Sequence, residues 1–367
     1  MRVRIAKSND TTRTKDAIVR ITSIIAALMV TSVFIAILGL NPFQVYKAML
    51  EGCFGSSYRI EETIVKTIPL LITSLGIAIA FRMKFWNIGA EGQMIMGAFL
   101  ATFIALQFSS LPKPLLLTLM VMAGIIGGGL WAFAAAFLKT KFNANETIVT
   151  LMMNYIALKW IVYLQYGPWK DPNSLGFPKI PNFSDNAILP DFLGVHIGWV
   201  FALILVILVH LFIHHTKKGF EIQVLGESEN TARYAGVDVN KTILLALFLS
   251  GGIAGLAGMI QASAVDNTLS IQTTGGVGYT AIIIAWLSNL SAPLAIVVAF
   301  LFAILTQGAS YIQTVYQIPQ SAAQIIQGMI LCFVLGGEFF TQYKLVFEIK
   351  STKDLSTTAK EESHNEF

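Results

Sequence analysis

The stretch 82–93, Arg-Met-Lys-Phe-Trp-Asn-Ile-Gly-Ala-Glu-Gly-Gln, sets polar groups beside two glycines within strongly apolar sequence. Gly89 and Gly92 permit a helix break and close backbone approach. Asn87, Glu91 and Gln93 then stand at the start of the next helix, where free N–H groups and the helix dipole can act with them on a polar solute. An acidic residue at membrane depth is costly unless it is used. These three are therefore expected to line a substrate path or gate, with an ordinary N-terminal cap by Glu91 as the alternative. Asn154, one turn beyond Thr150, either lines the same path or bonds a neighbouring helix. Glu146 falls in the first turn of its helix, where the dipole favours it.

A second polar island is the stretch 226–236, Gly-Glu-Ser-Glu-Asn-Thr-Ala-Arg-Tyr-Ala-Gly. Lys217 and Lys218 precede it, and Lys241 and a long apolar run follow it. A short exposed helix between two spans is what a partner protein could grip. The chain holds no GxxxxGK[ST] phosphate loop, no nucleophile elbow and no HExxH, so ATP-driven work needs a separate ATPase and nothing points to catalysis. His210 and His214 are one helical turn apart but have no evident third ligand, so no metal is expected. Cys53 and Cys332 stand in unlike contexts, which argues against a disulfide.

These residues must be held by membrane-spanning elements. Of 367 residues, 55% are hydrophobic and 13% charged, with mean hydropathy +0.67. A soluble domain carries about 25% charged residues. The net charge of +4 is scattered, which excludes a nucleic-acid surface. An apolar run over 21–40 follows a basic N-terminus and is too long for a signal-peptide core, so it reads as a first span. Apolar segments at 18–40, 64–81, 88–108, 114–138, 146–166, 197–215, 241–262, 276–290, 292–312 and 319–338 predict an all-α polytopic membrane protein with about ten transmembrane helices. That topology puts both termini in the cytoplasm and assigns eighteen of the 25 Lys and Arg to the inner side. Six fall outside, and Lys159 lies within a span. The bias follows the positive-inside rule.

The segments 276–290, which is short, and 64–81, which carries Lys66 and Pro69, are both followed by polar or Gly/Pro-containing breaks. Interrupted segments in matching positions predict two related halves, about 60–166 and 240–338. The organisation is thus a cytoplasmic segment 1–17, a transmembrane domain 18–340, and a tail 341–367 whose polar composition predicts disorder. Within the membrane domain, 167–196 forms an extracytoplasmic loop with five prolines, a cap or docking surface, and 216–240 is cytoplasmic. Glycines spaced along 124–129 and 251–258 predict close helix packing.

With these residues laid out, the chain resembles the permease subunits of bacterial ABC importers of the branched-chain amino acid, ribose and nucleoside class. Three stretches carry the resemblance: Trp-Asn-Ile-Gly-Ala-Glu-Gly-Gln-Met at 86–94, Glu-Thr-Ile-Val-Thr-Leu-Met-Met-Asn-Tyr at 146–155, and the 226–237 island. Gly-Gly-Val-Gly-Tyr-Thr-Ala-Ile at 275–282 is a looser fourth. The form at 87–93 is most like the nucleoside, or simple-sugar, branch; riboflavin importers share much of it. The resemblance implies a multi-pass subunit in the bacterial cytoplasmic membrane. Its expected partners are an ATPase subunit carrying the ATP and Mg, a second permease that is identical or paralogous, membrane lipid, and an extracytoplasmic binding lipoprotein delivering a nucleoside-like molecule. It further implies that Glu227, Asn230, Arg233, Tyr234 and Gly236 form or shape the contact with the ATPase. The rival is an ion-coupled secondary transporter, which needs acidic residues in mid-span; the sequence places Asp and Glu at span ends and in loops, with Glu91 the one ambiguous case. An intramembrane enzyme lacks any catalytic constellation.

Overall fold

The computed structural model describes residues 2–7, 13–174 and 176–348. In chain order these form β1 (Arg2–Lys7), α1 (Arg13–Ile37), α2 (Pro42–Phe54), α3 (Ser57–Arg82), α4 (Ala90–Gln107), α5 (Lys113–Phe142) and α6 (Glu146–Tyr166). A short 3-10 turn (Asp185–Ala187) and the ribbon β2 (Asp191–Phe192) and β3 (Val195–His196) follow. Then come α7 (Gly198–His215), α8 (Lys217–Glu227), α9 (Glu229–Tyr234), α10 (Val239–Ile260) with a π turn (Gln261–Asp266), α11 (Val277–Leu287), α12 (Ala292–Tyr316), α13 (Gln320–Gln342) and β4 (Tyr343–Glu348).

A helix occupies every one of the ten expected segments, but the count of full spans is smaller. Seven helices are long and apolar enough to cross a membrane, and the bent pair Ile21–Ile37 and Pro42–Phe54 makes an eighth if counted as one. Glu91, Gln93 and Gln107 dilute the 18-residue α4, and α11 has only 11 residues, so neither meets that measure. Two features were not legible as helix. Residues 42–54 form α2, and α3 begins at Ser57, where Ser56 accepts a hydrogen bond from Arg59 N. Of the expected tail, 343–348 is strand; the rest, 349–367, lies outside the described residues.

The chain divides into two compact units. One comprises residues up to Lys47 and from Ile312 on. In it α1 lies along α13, and β1 pairs antiparallel with β4 from Arg2↔Glu348 to Lys7↔Tyr343. That pairing brings the first and last described strands side by side.

The other unit, Ala48–Tyr311, holds the candidate site. Its hub is α3, of whose apolar window 83% is buried. Against it and α4 lies a close glycine-lined crossing, α5 on α10. A Cβ at Gly255 would stand 2.2 Å from Gly124 O, and one at Gly128 2.2 Å from Gly251 O. Gly97 of α4 meets Gly255 as closely, at 2.3 Å. Small residues let backbones approach where lipid supplies no hydrophobic drive between helices. This seam fixes the heights of α4, α5 and α10 relative to one another, and so positions the breaks that flank them.

Candidate functional site

The first break lies between α3 and α4. Met83 closes α3, Lys84 turns the chain with φ 57°, and residues up to Gly89 run non-helical. Backbone that leaves a helix inside a membrane must find other partners, and side chains supply them here. Asn87 Oδ1 accepts from Gly89 N at 3.0 Å and from Gln93 Nε2 at 2.9 Å. Asn87 Nδ2 donates to Gln93 Oε1 (3.2 Å) and to Ser250 Oγ of α10 (3.3 Å). From α6, Asn154 Oδ1 accepts from Gly92 N at 2.8 Å, while its Nδ2 donates to Ile88 O (2.9 Å) and to Tyr279 OH (3.3 Å). Thr150 Oγ1 accepts from Ile88 N at 3.2 Å. Asn87, Gln93 and Asn154 are all buried. The structure thus brings these three expected residues together, as the stitching of a broken segment.

Glu91 makes the longest reach. It stands in the first turn of α4, yet its carboxylate serves α11. Oε1 accepts from Thr274 Oγ1 at 2.5 Å and from Gly276 N at 2.9 Å; Oε2 accepts from Gly278 N at 2.7 Å. A carboxylate at a helix N-terminus satisfies orphan N–H groups and meets the positive end of the dipole. Gly276 precedes α11 at φ 83°, and a Cβ at Gly278 would lie 2.3 Å from Glu91 N. The glycine-rich stretch 275–278 therefore exists to bring α11 onto Glu91. The cap is real, but it belongs to a helix 183 residues away in sequence.

The second polar island forms α8 and α9. Thr216 caps α8 by accepting from Gly219 N (3.0 Å), and Ser228 caps α9 by accepting from Thr231 N (3.3 Å). Gly236 N bonds Arg233 O and Val237 N bonds Ala232 O, each at 3.0 Å, with Gly236 at φ 77°. That is a Schellman end, and it requires a left-handed residue where Gly236 sits. Ala232 points inward and is fully buried, while Glu227, Asn230, Arg233, Tyr234 and Gly236 are exposed. Tyr234 is 94% exposed. Arg233 Nη2 pairs with Glu229 Oε1 at 2.7 Å across one turn. All five expected residues thus share one rigid, outward platform.

Three contacts fasten the platform to the membrane helices. Glu221, buried in α8, accepts from Lys218 Nζ at 2.6 Å and from Thr242 Oγ1 of α10 at 3.3 Å. The Lys218 hydrogen bond holds the Glu221 carboxyl below its usual range, against the opposing effect of burial. Asp238 caps α10 through Lys241 N at 3.1 Å, and the Lys241 hydrogen bonds lower its pKa as well. Gly226 lies so tightly on the end of α3 that a Cβ would fall 1.9 Å from Arg82 O. The sequence shows Gly226 only as the start of one island and Arg82 only as the start of the other, with nothing to join them. The one signal was a glycine in a segment otherwise free of turns.

One further surface is open and lined by polar aromatic groups. On α6, Tyr155, Lys159, Tyr163 and Tyr166 recur at helical spacing and are all exposed, on a span of whose apolar window only 28% is buried. Among the described residues no carboxylate pairs with Lys159. Tyr279, bonded to Asn154, is also 39% exposed.

Comparison with known proteins agrees with this architecture. The family model described as "Branched-chain amino acid transport system / permease component" matches residues 59–335. The glucose ABC transporter permease protein TsgB13 of Haloferax volcanii is 30% identical, over 88% of this chain and 88% of its own length. The guanosine ABC transporter permease protein NupP of Bacillus subtilis is also 30% identical, covering 88% of this chain and 94% of the relative. The nucleoside ABC transporter permease protein NupB of Lactococcus lactis is 26% identical over 95% and 97%. The family match over 59–335 and the permease relatives make this chain a transport component rather than an enzyme, a multi-pass member of the branched-chain amino acid transport system / permease family of ABC importers.

Proposed function

We propose that this chain is the membrane-spanning subunit of an ATP-driven importer of nucleosides in a bacterial cytoplasmic membrane. The observation that carries the ATP-driven part is the α8–α9 platform. It is short, capped at both ends, exposed at Glu227, Asn230, Arg233, Tyr234 and Gly236, and seated through Gly226 on the helix that leads into the first break. A partner ATPase holding ATP and Mg would grip that platform, and its closure would act on α3. A second permease, identical or paralogous, would face this one across the solute path. An extracytoplasmic binding lipoprotein would dock near 167–196 and supply the affinity.

The solute-facing groups are better sought on α6 than in the break. Asn87, Glu91, Gln93 and Asn154 spend their polar atoms on backbone and on one another. Tyr155, Lys159 and Tyr163 are exposed. Phenol rings stack on planar bases, and an ammonium donates to carbonyl and hydroxyl oxygens. Two relatives carry nucleoside names, which favours that substrate. A simple sugar is the second reading, favoured by the glucose permease of equal identity.

The test is uptake of radiolabelled guanosine by cells lacking and regaining this chain, with unlabelled glucose and riboflavin as competitors. Restored uptake that survives an ionophore and fails with Tyr234→Ala plus Arg233→Ala supports the proposal. Uptake abolished by the ionophore and indifferent to the double variant would return the ion-coupled rival. Uptake of glucose with none of guanosine would move the sugar reading to the front.

A further inference from the structure

Arg82 stands where three otherwise separate parts of the second unit meet. Its carbonyl oxygen is the atom against which Gly226 of α8 is pressed, at 1.9 Å from a hypothetical Cβ. Its guanidinium reaches the other way. Nη2 donates to Leu290 O at 3.0 Å, inside the break between α11 and α12. Its own residue ends α3, one step before the break that Asn87 and Gln93 stitch. One residue thus touches the platform and both interrupted segments.

Two independent observations mark the junction as a place where force is passed rather than a chance contact. The second break is held in an unfavourable conformation, since Asn289 and Leu290 both have positive φ, 49° and 57°. A bulky leucine pays for that geometry only when neighbours over-determine it, and the Arg82 hydrogen bond is one of those neighbours. Beside it, Trp86 from the first break and Trp286 from the last turn of α11 stack at 5.6 Å, each also 5.7 Å from Phe81. The three rings bind the two breaks as one body, and both indoles are nearly half exposed. The end of α3 thus lies in direct contact with Gly226 on one side and with Leu290 and Trp286 on the other.

We propose that Arg82 is the positioning residue that transmits motion of the 226–236 platform to both broken segments at once, by clasping Leu290 O while its backbone bears on Gly226. Arginine suits the task because its planar fork keeps direction over a long reach, where lysine offers a compact charge. The proposal rests on the reading of 226–236 as the ATPase contact, and adds how a displacement there reaches the membrane interior.

The experiment uses the complete transporter, with its ATPase and binding protein, reconstituted in proteoliposomes, and measures solute moved per ATP hydrolysed. Arg82→Gln is expected to leave assembly and ATP hydrolysis in place while solute per ATP falls about two- to thirty-fold, the range that coupling residues reach. Arg82→Lys should recover part of that loss. Gly226→Ala, which pries α8 from the same carbonyl, should lower the ratio too, and the double variant should be no worse than the more severe single one. Transport and hydrolysis falling in parallel, or an unchanged ratio in Arg82→Gln, would overturn the proposal. So would full additivity in the double variant. Failure of the platform reading shows separately: Tyr234→Ala would then leave ATP hydrolysis and transport intact whatever Arg82→Gln does.

Discussion

Replacing Glu91 separates two roles that its chemistry alone leaves open. In the structure its carboxylate accepts three hydrogen bonds, from Thr274 Oγ1, Gly276 N and Gly278 N, in a site where the side chain is 8% exposed. Glu91→Ala strands two backbone N–H groups at the start of α11, while the Thr274 hydroxyl can turn elsewhere. Each stranded buried donor costs about 1–3 kcal/mol, so the loss is about 2–6 kcal/mol. Glu91→Gln keeps one acceptor oxygen but turns an NH2 toward a donor, and should cost about half as much. At roughly 2–3 °C per kcal/mol for a large domain, the alanine variant should melt about 5–15 °C lower. The assay is thermal unfolding of the detergent-solubilised chain, followed by retention of the monodisperse peak, alongside uptake by cells. A Glu91→Ala protein as stable as the native one, yet dead in uptake, would refute the strut and make Glu91 a solute or gating group.

Other consequences are as definite. Gly255→Ala puts a methyl 2.2 Å from Gly124 O, with no flexible side chain to yield; overpacking of this kind costs about 1–3 kcal/mol, read as a lower melting temperature and poorer yield. His196 is buried beside the outer ribbon, and burial pushes its pKa below 6.5, against a small opposing effect of Asp191. The unfolded chain then binds a proton that the folded one refuses, so stability should fall as pH drops below about 6.5. A His196→Phe variant should flatten that slope, and a native slope already flat would contradict the reasoning. Glu221 has the opposite charge type and a pKa held below 4.5. Its stabilisation is present above the unfolded value and lost as pH falls through the folded one. Proteolytic nicking within 226–236 should therefore rise in strong acid, with Glu221→Gln showing the raised rate already at neutral pH.

Much of the helical architecture was legible because lipid makes helices obligatory: each of the ten apolar runs holds a helix, although only seven or eight candidate spans result. The platform was legible too, since Ser228 and Gly236 are start and stop signals with local causes. What escaped was whatever depends on partners distant in sequence. No local rule reveals that Glu91 caps α11 rather than α4, or that Asn154 ties down Ile88 and Gly92. Residues 42–54 were missed because Lys47, Glu51 and a flanking proline dilute the apolar signal, although they form a helix. The strand β4 escaped for a related reason: it takes its hydrogen bonds from β1, at the opposite end of the sequence.

The logic of the site lies in where its long-range contacts run. Asn87 to Ser250, Glu91 to 274–278, Asn154 to Tyr279, Arg82 to Leu290 and Trp86 to Trp286 each join the stretch 60–166 to the stretch 240–338. None joins the two sides of a single break alone. Two stretches tied at five points cannot rearrange by one break loosening while the other holds, because every polar group released on one side orphans its partner on the other. Motion that keeps these bonds must carry both breaks as a body, and α6 with them, since Asn154 ties it to Ile88, Gly92 and Tyr279.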